Sequence, residues 1–277
     1  MKQITLVNNG LCLSRFTFGT ASLFNAGTAG QRANLLTAAY DHGFTHFDTA
    51  PYYGFGMAER DLKPLLAAHP NVTVATKVGI YSPGGEAQPA AAVFMRKAAG
   101  KIVSSLSRPT IDWSIARARE ALTGSLKRLG RERVDLYLLH EPDISLFDSD
   151  EWLRWLESES DRVANFGVAG DPSRLLPFVQ SNNPLAAVVQ SLDSNEQREA
   201  DFVLNQGRPL QITFGYVSGA RRKGPVDIAA TLDAALRRNV DGSIIVSTSK
   251  PERMAQYAAI SGASDKATWP VSSGECS

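Results

Sequence analysis

The sequence predicts an α/β fold, a closed (β/α)8 barrel of the TIM type, and three observations support this prediction. Short β-rich runs alternate with helical segments of roughly 10–15 residues, and the pair repeats eight times along the chain. Several runs are almost continuously apolar, such as VDLYLLH (134–140) and SIIVS (243–247), as expected for strands buried on both faces of a parallel sheet. The 277 residues suit one barrel, so we predict a single domain over residues 1–277.

The elements follow one another in a regular order. An N-terminal hairpin is predicted in residues 2–13, where KQITL and LCLS flank a turn at Asn8-Asn9-Gly10, and we expect it to cover the N-terminal mouth of the barrel. The strand candidates are Phe16–Gly19, Thr45–Asp48, Val72–Val78, Val134–His140, Arg162–Ala169, Ala186–Gln190, Leu210–Phe214 and Ser243–Ser247. The helices that follow them are predicted at Ala29–His42, Met57–Ala68, Ser114–Leu129, Ser149–Glu159, Pro172–Ser181, Ser194–Gln206, Val226–Arg238 and Pro251–Ile260. Residues 79–112 form a long loop after strand three, and loops of this length are usually functional or mobile.

An open doubly wound sheet is the alternative fold. Its dinucleotide-binding version carries G-x-G-x-x-G directly after the first strand, and that motif is missing here. Gly54-Phe55-Gly56 begins in a similar way, but it follows the second strand and continues to Glu59 where a third glycine belongs. The closed barrel is therefore the better prediction.

Composition excludes several classes of protein. Lys and Arg total 29 against 28 Asp and Glu, which leaves no broad charge for nucleic acid or an anionic membrane. The N-terminus has no apolar signal region, no stretch approaches 18 apolar residues, and the two cysteines form no CxxC motif. We expect a cytoplasmic protein with a small-molecule substrate and no nucleic-acid or membrane partner, present as a monomer or weak homo-oligomer.

Polar side chains stand at the ends of the predicted strands. Strand two ends at Asp48, strand three carries Lys77 near its end, strand four ends at His140 and strand six at Gln190, while Tyr53 lies in the loop after Asp48. The carboxyl ends of barrel strands face one mouth, where active sites are found. We therefore expect these side chains to converge there.

Each residue alone has an ordinary structural explanation. Asp48 could initiate a turn, Lys77 could pair with any acidic neighbour, and His140 and Tyr53 could be packed core residues. All four at strand ends or in the adjacent loop are much harder to explain by structure alone.

Together the four could carry a proton relay. A tyrosine hydroxyl has a pKa near 10, and a nearby Lys77 ammonium would lower the pKa of Tyr53. Asp48 could hold that lysine, and His140 could hydrogen-bond a substrate oxygen, so that the group polarises a carbonyl and delivers a proton. The sequence shows neither a hydrolase-type nucleophile–base pair nor metal-ligand spacing. Moving the electrons then needs a second agent, for which a nicotinamide cofactor is the natural candidate.

At this point the sequence resembles the aldo-keto reductase family over nearly its whole length. The matching stretches are FDTAPYYGFGMAE (47–59), ATKVG (75–79), SLKRLGRERVDLYLLHEPD (125–143), VVQ (188–190) and VSTSKPERM (246–254). The resemblance implies a catalytic tetrad of Asp48, Tyr53, Lys77 and His140. In that tetrad Tyr53 is the general acid/base, Lys77 tunes it, Asp48 pairs with Lys77, and His140 orients the substrate carbonyl.

The resemblance also implies NADP(H), less often NAD(H), bound on the barrel itself. The cofactor positions that it suggests are Gly19, Thr20, Gln190, Phe214, Ser247, Thr248 and Arg253. Gln190 would bond the nicotinamide carboxamide, Phe214 would stack on the ring, and Arg253 would bind the 2′-phosphate. Arg253 could equally be an ordinary exposed helix residue. One departure concerns the stretch GVAGDP (167–172), which replaces a Ser-Asn pair that usually bonds the carboxamide.

The leading hypothesis is an oxidoreductase that interconverts a carbonyl and the corresponding alcohol. DTAPYYG and LLHEPD are most similar to the branch with aldose and pyridoxal dehydrogenases, which implies a small polar aldehyde, sugar or lactol as substrate. Tyr52 and Trp113 could line its pocket or belong to the core. Two alternatives remain open: a Schiff-base aldolase with Lys77 as nucleophile, and a non-catalytic NADP-binding sensor.

Overall fold

The computed structural model describes residues 1–7, 9–86, 88, 95, 108–222 and 224–263. Eight parallel strands close into a barrel, which confirms the predicted (β/α)8 fold. In barrel order from the first they are β3 (Phe16–Gly19), β4 (His46–Asp48), β5 (Thr73–Val78), β8 (Leu136–His140), β9 (Phe166–Gly170), β10 (Val188–Leu192), β11 (Ile212–Phe214) and β12 (Ser243–Val246). Because β12 pairs with β3, the first and last strands are neighbours and no edge of the barrel is left open.

Two small antiparallel pairs lie outside the barrel. Strands β1 (Gln3–Thr5) and β2 (Cys12–Ser14) form the predicted N-terminal hairpin, whose tip residue Asn8 lies outside the described residues. Strands β6 (Ile80–Tyr81) and β7 (Thr110–Ile111) pair at the two ends of the long loop. Most of that loop, residues 87, 89–94 and 96–107, also lies outside the described residues.

Helices surround the barrel. They are α1 (Ala29–Asp41), α2 (Met57–Ala68), α3 (Ile115–Leu129), α4 (Ser149–Ser158), α5 (Pro172–Gln180), α6 (Asp201–Leu204), α7 (Tyr216–Arg221), α8 (Ile228–Arg238) and α9 (Arg253–Ala263). Their apolar faces pack on the outer face of the strands in one continuous core. Within the described part of the chain, no helix combines the length and apolar character needed to cross a bilayer.

One predicted helix is much shorter than expected. The pattern over 194–206 predicts a helix, but only Asp201–Leu204 is helical. Ser194 does receive the Gln197 N–H at 3.1 Å, as a helix cap would. However, Arg198 then adopts a left-handed backbone with φ of 53°, which breaks the helical path before it can continue.

The inside of the barrel is a separate small core. Alternate strand residues point inward and pack with the hairpin in a cluster of Leu6, Leu11, Leu13, Ala75, Leu136, Leu138, Ala169, Val188 and Ile212. The three hairpin leucines are buried in this cluster, so the hairpin closes the N-terminal end of the barrel as predicted. The next inward-facing residues along each strand, toward its C-terminal end, therefore form the opposite mouth of the barrel.

Candidate active site

The alternation of strand side chains delivers the site residues to the C-terminal mouth. Two residues after the inward-facing Ala75, Leu138 and Val188 come Lys77, His140 and Gln190, so each of these three side chains must also face inward. Phe214 follows Ile212 in the same way. A cavity of about 260 Å³ opens there, and its wall includes the four predicted catalytic residues Asp48, Tyr53, Lys77 and His140.

Lys77 and Asp48 form a buried ion pair at the floor of this cavity. The Lys77 Nζ lies 2.6 Å from Asp48 Oδ1 and donates a second hydrogen bond of 2.9 Å to the Thr49 carbonyl. Both side chains are almost fully buried. Burial alone would lower the pKa of Lys77, but Asp48 and then Tyr53 raise it above its ordinary value. The lysine is therefore held as a fixed cation.

Tyr53 lies directly against that cation. The Lys77 Nζ is 4.9 Å from the centre of the tyrosine ring. Burial raises the pKa of the Tyr53 hydroxyl, and the charge and hydrogen bonding of Lys77 act to lower it. The sequence predicts a net decrease from Lys77. The structure instead keeps the pKa of Tyr53 above its ordinary value, because the effect of burial outweighs that of Lys77.

The loop after β4 is shaped to present Tyr53. The Tyr53 N–H bonds the Ala50 carbonyl at 3.0 Å, and the Gly56 N–H bonds Pro51 at 2.7 Å. Gly54 and Gly56 both have positive φ, a conformation that glycine adopts without strain. These tight turns return the chain to the barrel wall, where α2 begins.

His140 forms the opposite wall of the cavity. Its ring lies edge-on to Tyr53, with ring centres 6.0 Å apart. Burial first, and then the charge of Lys77, lowers the pKa of His140 to about 3. The imidazole is therefore neutral at physiological pH, and its Nδ1 is buried without a hydrogen-bond partner among the described residues. A neutral ring that donates one hydrogen bond suits contact with a carbonyl oxygen.

Four of the predicted cofactor positions line the same cavity: Gly19, Gln190, Phe214 and Ser247. Gln190 Oε1 is buried with no hydrogen-bond partner in the described residues, and Phe214 presents a half-buried flat ring. A side chain on Gly19 would come within 2.6 Å of Ile245, so glycine keeps this part of the wall open.

The other three predicted cofactor positions lie apart from this wall. The Thr20 hydroxyl donates to the Asp48 carbonyl at 2.9 Å, which braces strand β4. Thr248 accepts the Lys250 N–H at 3.1 Å, and Arg253 begins α9 beside Tyr257. A second cavity of about 250 Å³ extends to Tyr257 and Arg221 and shares four residues with the first, Gly215, Ser218, Ile245 and Ser247. The two cavities together form an elongated cleft that runs toward α9.

The two proposed substrate residues do not line either cavity in the described part of the structure. Trp113 is buried and packs against Trp152 and Phe147. Tyr52 is half-buried and packs against Phe55. Both contacts are typical of core residues, so a substrate role for either residue stays a prediction.

One ionisable residue of the cavity is missing from the sequence prediction. Glu141, directly after His140, lines the cavity beside Gly170 and has a positive φ of 52°. The motif LLHEPD contains this residue, but nothing in the local pattern shows that its side chain turns into the site. For metal binding, no group of three His, Cys, Asp or Glu side chains forms within the described ranges.

The fold and the site define a barrel protein whose C-terminal mouth holds a buried lysine–carboxylate pair, a tyrosine and a neutral histidine. Residues 15–208 match the model of the aldo/keto reductase family. The chain therefore belongs to the aldo/keto reductase family, and the resemblance noted from its motifs is confirmed.

Individual relatives agree with this assignment. The chain is 31% identical over 140 residues to D-threo-aldose 1-dehydrogenase of a Pseudomonas species, covering 48% of this chain and 42% of that protein. It is 30% identical over 143 residues to pyridoxal 4-dehydrogenase of Microbacterium luteolum, covering 49% and 42%. The chain thus spans less than half the length of these two curated relatives.

Solved structures share the fold. A glycerol dehydrogenase of Gluconobacter oxydans superposes with a TM-score of 0.70 at 20% identity, covering 98% of this chain and 91% of that one. An aldo-keto reductase of Klebsiella pneumoniae, in complex with NADPH, superposes with a TM-score of 0.63 at 17% identity, covering 95% and 90%.

Proposed function

We propose that this protein is an NADP(H)-dependent oxidoreductase that interconverts a carbonyl compound and the corresponding alcohol. The observation that carries the proposal is the Lys77–Asp48 ion pair of 2.6 Å directly beneath the ring of Tyr53. A fixed cation beside a phenol makes the hydroxyl a usable proton donor to a carbonyl oxygen and stabilises the tyrosinate that results.

Each catalytic side chain has a distinct role in this proposal. Tyr53 donates the proton during reduction and removes it during oxidation, and Lys77 stabilises the charge that forms on the tyrosine oxygen. Asp48 keeps Lys77 in position. His140, neutral because burial lowers its pKa to about 3, donates a hydrogen bond that orients the substrate oxygen.

The cavity residues fit a nicotinamide dinucleotide. The unpartnered Gln190 Oε1 is available to an amide N–H, the Phe214 ring offers a flat face for stacking, and Gly19 leaves the wall open. The cofactor would supply the hydride when bound, and the Klebsiella relative in complex with NADPH supports this choice. The similarity to aldose and pyridoxal dehydrogenases supports a small polar aldehyde or sugar as substrate.

The same geometry disfavours the Schiff-base aldolase. A lysine nucleophile must lose its proton before it attacks a carbonyl, whereas Asp48 and Tyr53 raise the pKa of Lys77. Its ammonium is also committed to Asp48 and Thr49. A non-catalytic NADP-binding sensor would have no use for such a buried charge pair, whose desolvation is costly.

The proposal predicts both cofactor binding and turnover. Titration of the purified protein with NADPH is expected to change the nicotinamide fluorescence. A panel of aldehydes, ketones and aldoses is expected to include substrates whose reduction consumes NADPH or whose oxidation produces it. Binding without turnover across the panel would favour the sensor. Trapping of a substrate on Lys77 by borohydride would favour the aldolase.

Arg253 is proposed to contact the 2′-phosphate of the cofactor. Arg253→Ala is expected to weaken NADPH binding by about tenfold, because charge-assisted bonds between arginine and phosphate are among the strong ones, with little change for NADH. Fluorescence titration with the two cofactors measures this difference. The exposed Arg237, in the last turn of α8, is ion-paired with Asp233 and lines neither cavity, so it supplies a control in which Arg237→Ala alters neither affinity. Equal weakening of NADPH and NADH by Arg253→Ala would contradict the assignment.

A further inference from the structure

Glu141 is the cavity carboxylate to which the proposed reaction assigns no role. It follows His140 at the end of β8, and its Oε2 accepts the Asp171 N–H at 2.9 Å. The other carboxylate oxygen has no hydrogen-bond partner among the described residues. Glu141 has a positive φ of 52°, which is uncommon for a residue other than glycine, and with this backbone its side chain lines the cavity.

Gly170 makes the room that the Glu141 carboxylate occupies. A Cβ atom at position 170 would lie 2.5 Å from Glu141 Oε2 and 2.9 Å from Oε1, closer than van der Waals contact allows. Any larger residue at the end of β9 would therefore displace the carboxylate. The end of β9 thus brings only Ala169 and Gly170 to the cavity wall, and the carboxylate of Glu141, which follows β8, occupies the space beside them.

Glu141 has no directly paired cation among the residues that the structure describes. In the described part of the chain it forms no ion pair, and the nearby Arg174 is bound to Asp143 at 2.6 Å. Burial raises the pKa of the Glu141 carboxyl, and the Asp171 N–H and Arg174 only partly oppose this effect. A carboxylate placed in a cavity without a counter-ion is suited to accept hydrogen bonds from a ligand.

Glu141 and Gln190 flank the same strand end. Strand β9 lies between β8 and β10. Its residue Ala169 is opposite His140 of β8 on one side and opposite Gln190 of β10 on the other. Ala169 and Gly170 line the cavity between them and contribute no polar side-chain atom. The wall therefore carries an open carboxylate oxygen on one side and the unpartnered Gln190 Oε1 on the other.

We infer that Glu141 is a positioning residue that, together with Gln190, accepts the N–H bonds of the nicotinamide carboxamide. A primary amide nitrogen carries two N–H donors, which matches two acceptor oxygens on either side of an apolar strand end. This inference rests on the proposed function, because the cofactor comes from that proposal. It assigns the orientation of the nicotinamide ring to Gln190 and to the carboxylate of Glu141, the residue that follows β8.

The test compares NADP+ with its 3-acetylpyridine analogue, in which a methyl group replaces the amide nitrogen. Calorimetric titration gives the dissociation constant of each. Wild type is expected to bind NADP+ more tightly than the analogue. Glu141→Ala and Glu141→Gln are expected to reduce this preference by about tenfold, the scale of one hydrogen bond to a charged group. The glutamine variant keeps the side-chain volume. Its side-chain oxygen would accept the Asp171 N–H, so its side-chain NH2 group, a donor, would face the NH2 group of the nicotinamide carboxamide.

Two controls accompany these variants. Glu157→Gln makes the same change at an exposed carboxylate of α4 that lines neither cavity, so its preference for NADP+ should equal that of wild type. Binding of 2′,5′-ADP, which lacks the nicotinamide, should be the same in all variants and reports an intact fold.

The outcomes separate this inference from the proposed function. A wild-type protein that binds no NADP+ would overturn both. Normal NADP+ binding with no preference over the analogue in wild type, or with an undiminished preference in both Glu141 variants, would overturn only the role of Glu141. If the alanine variant does not fold, the glutamine variant and the wild-type comparison still decide the result.

Discussion

Replacement of Tyr53 by phenylalanine is expected to lower kcat for carbonyl reduction by about 10²–10⁴-fold, the usual contribution of a general acid. The substitution removes only the hydroxyl, and the ring that lies over Lys77 and against His140 remains. NADPH affinity should therefore stay close to that of wild type. Steady-state kinetics with the best substrate of the panel, together with NADPH titration, measure the two quantities. Undiminished turnover in Tyr53→Phe would refute the assigned mechanism.

The pH dependence gives a second measurement of the same residue. Reduction requires the protonated phenol of Tyr53, and burial raises the pKa of this phenol. The rate of reduction should therefore be constant near neutral pH. It should fall as the pH rises through the pKa of Tyr53. Oxidation requires the tyrosinate and should show the opposite trend. His140, with a pKa of about 3, should contribute no step near neutral pH. The alkaline step in reduction should be absent from the residual activity of Tyr53→Phe.

Replacement of Lys77 by methionine is expected to affect both stability and activity. The variant leaves the Asp48 carboxylate buried without its cation, and breaking a buried pair in this way typically costs about 3–5 kcal/mol of unfolding free energy. Activity should also be lost, because nothing then stabilises the tyrosinate. Urea denaturation measures the first effect and the aldehyde assay the second.

A double variant separates these two effects. Asp48→Asn combined with Lys77→Met removes both charges of this pair, so its unfolding free energy should recover much of the loss, while its activity should remain absent. The exposed pair of Arg237 and Asp233 provides the matched control. Arg237→Met should cost less than about 1 kcal/mol. If Lys77→Met lowered the unfolding free energy no more than Arg237→Met does, the ion pair of Lys77 and Asp48 would have no structural role.

Much of the fold follows from local sequence patterns. All eight barrel strands occur where apolar runs predict them, with ends that differ by a few residues, because burial on both faces imposes an apolar run wherever such a strand occurs. The exception at 194–206 arises from Arg198, whose left-handed backbone no hydrophobic pattern reveals. The grouping of Asp48, Tyr53, Lys77 and His140 around one cavity could also be predicted, because strand ends in a barrel share one mouth.

Contacts between distant segments could not be read from the sequence in the same way. Lys77 and Asp48 are 29 positions apart, and their distance depends on the pairing of β4 with β5. A tryptophan such as Trp113 can line a substrate pocket or belong to the core, and the sequence does not distinguish the two. Its packing against Trp152 and Phe147 shows that it belongs to the core. The balance that keeps the pKa of Tyr53 high likewise depends on how deeply its hydroxyl is buried.

The sequence by itself determined the class of fold, the hairpin that closes one end and the four residues at the other end. These depend on apolar periodicity and on strand ends, which are properties of short segments. The tertiary structure alone decided that Lys77 Nζ and Asp48 Oδ1 lie 2.6 Å apart, and that Glu141 turns into the space left by Gly170. Both depend on distances between neighbouring strands, which exist only once the barrel has closed.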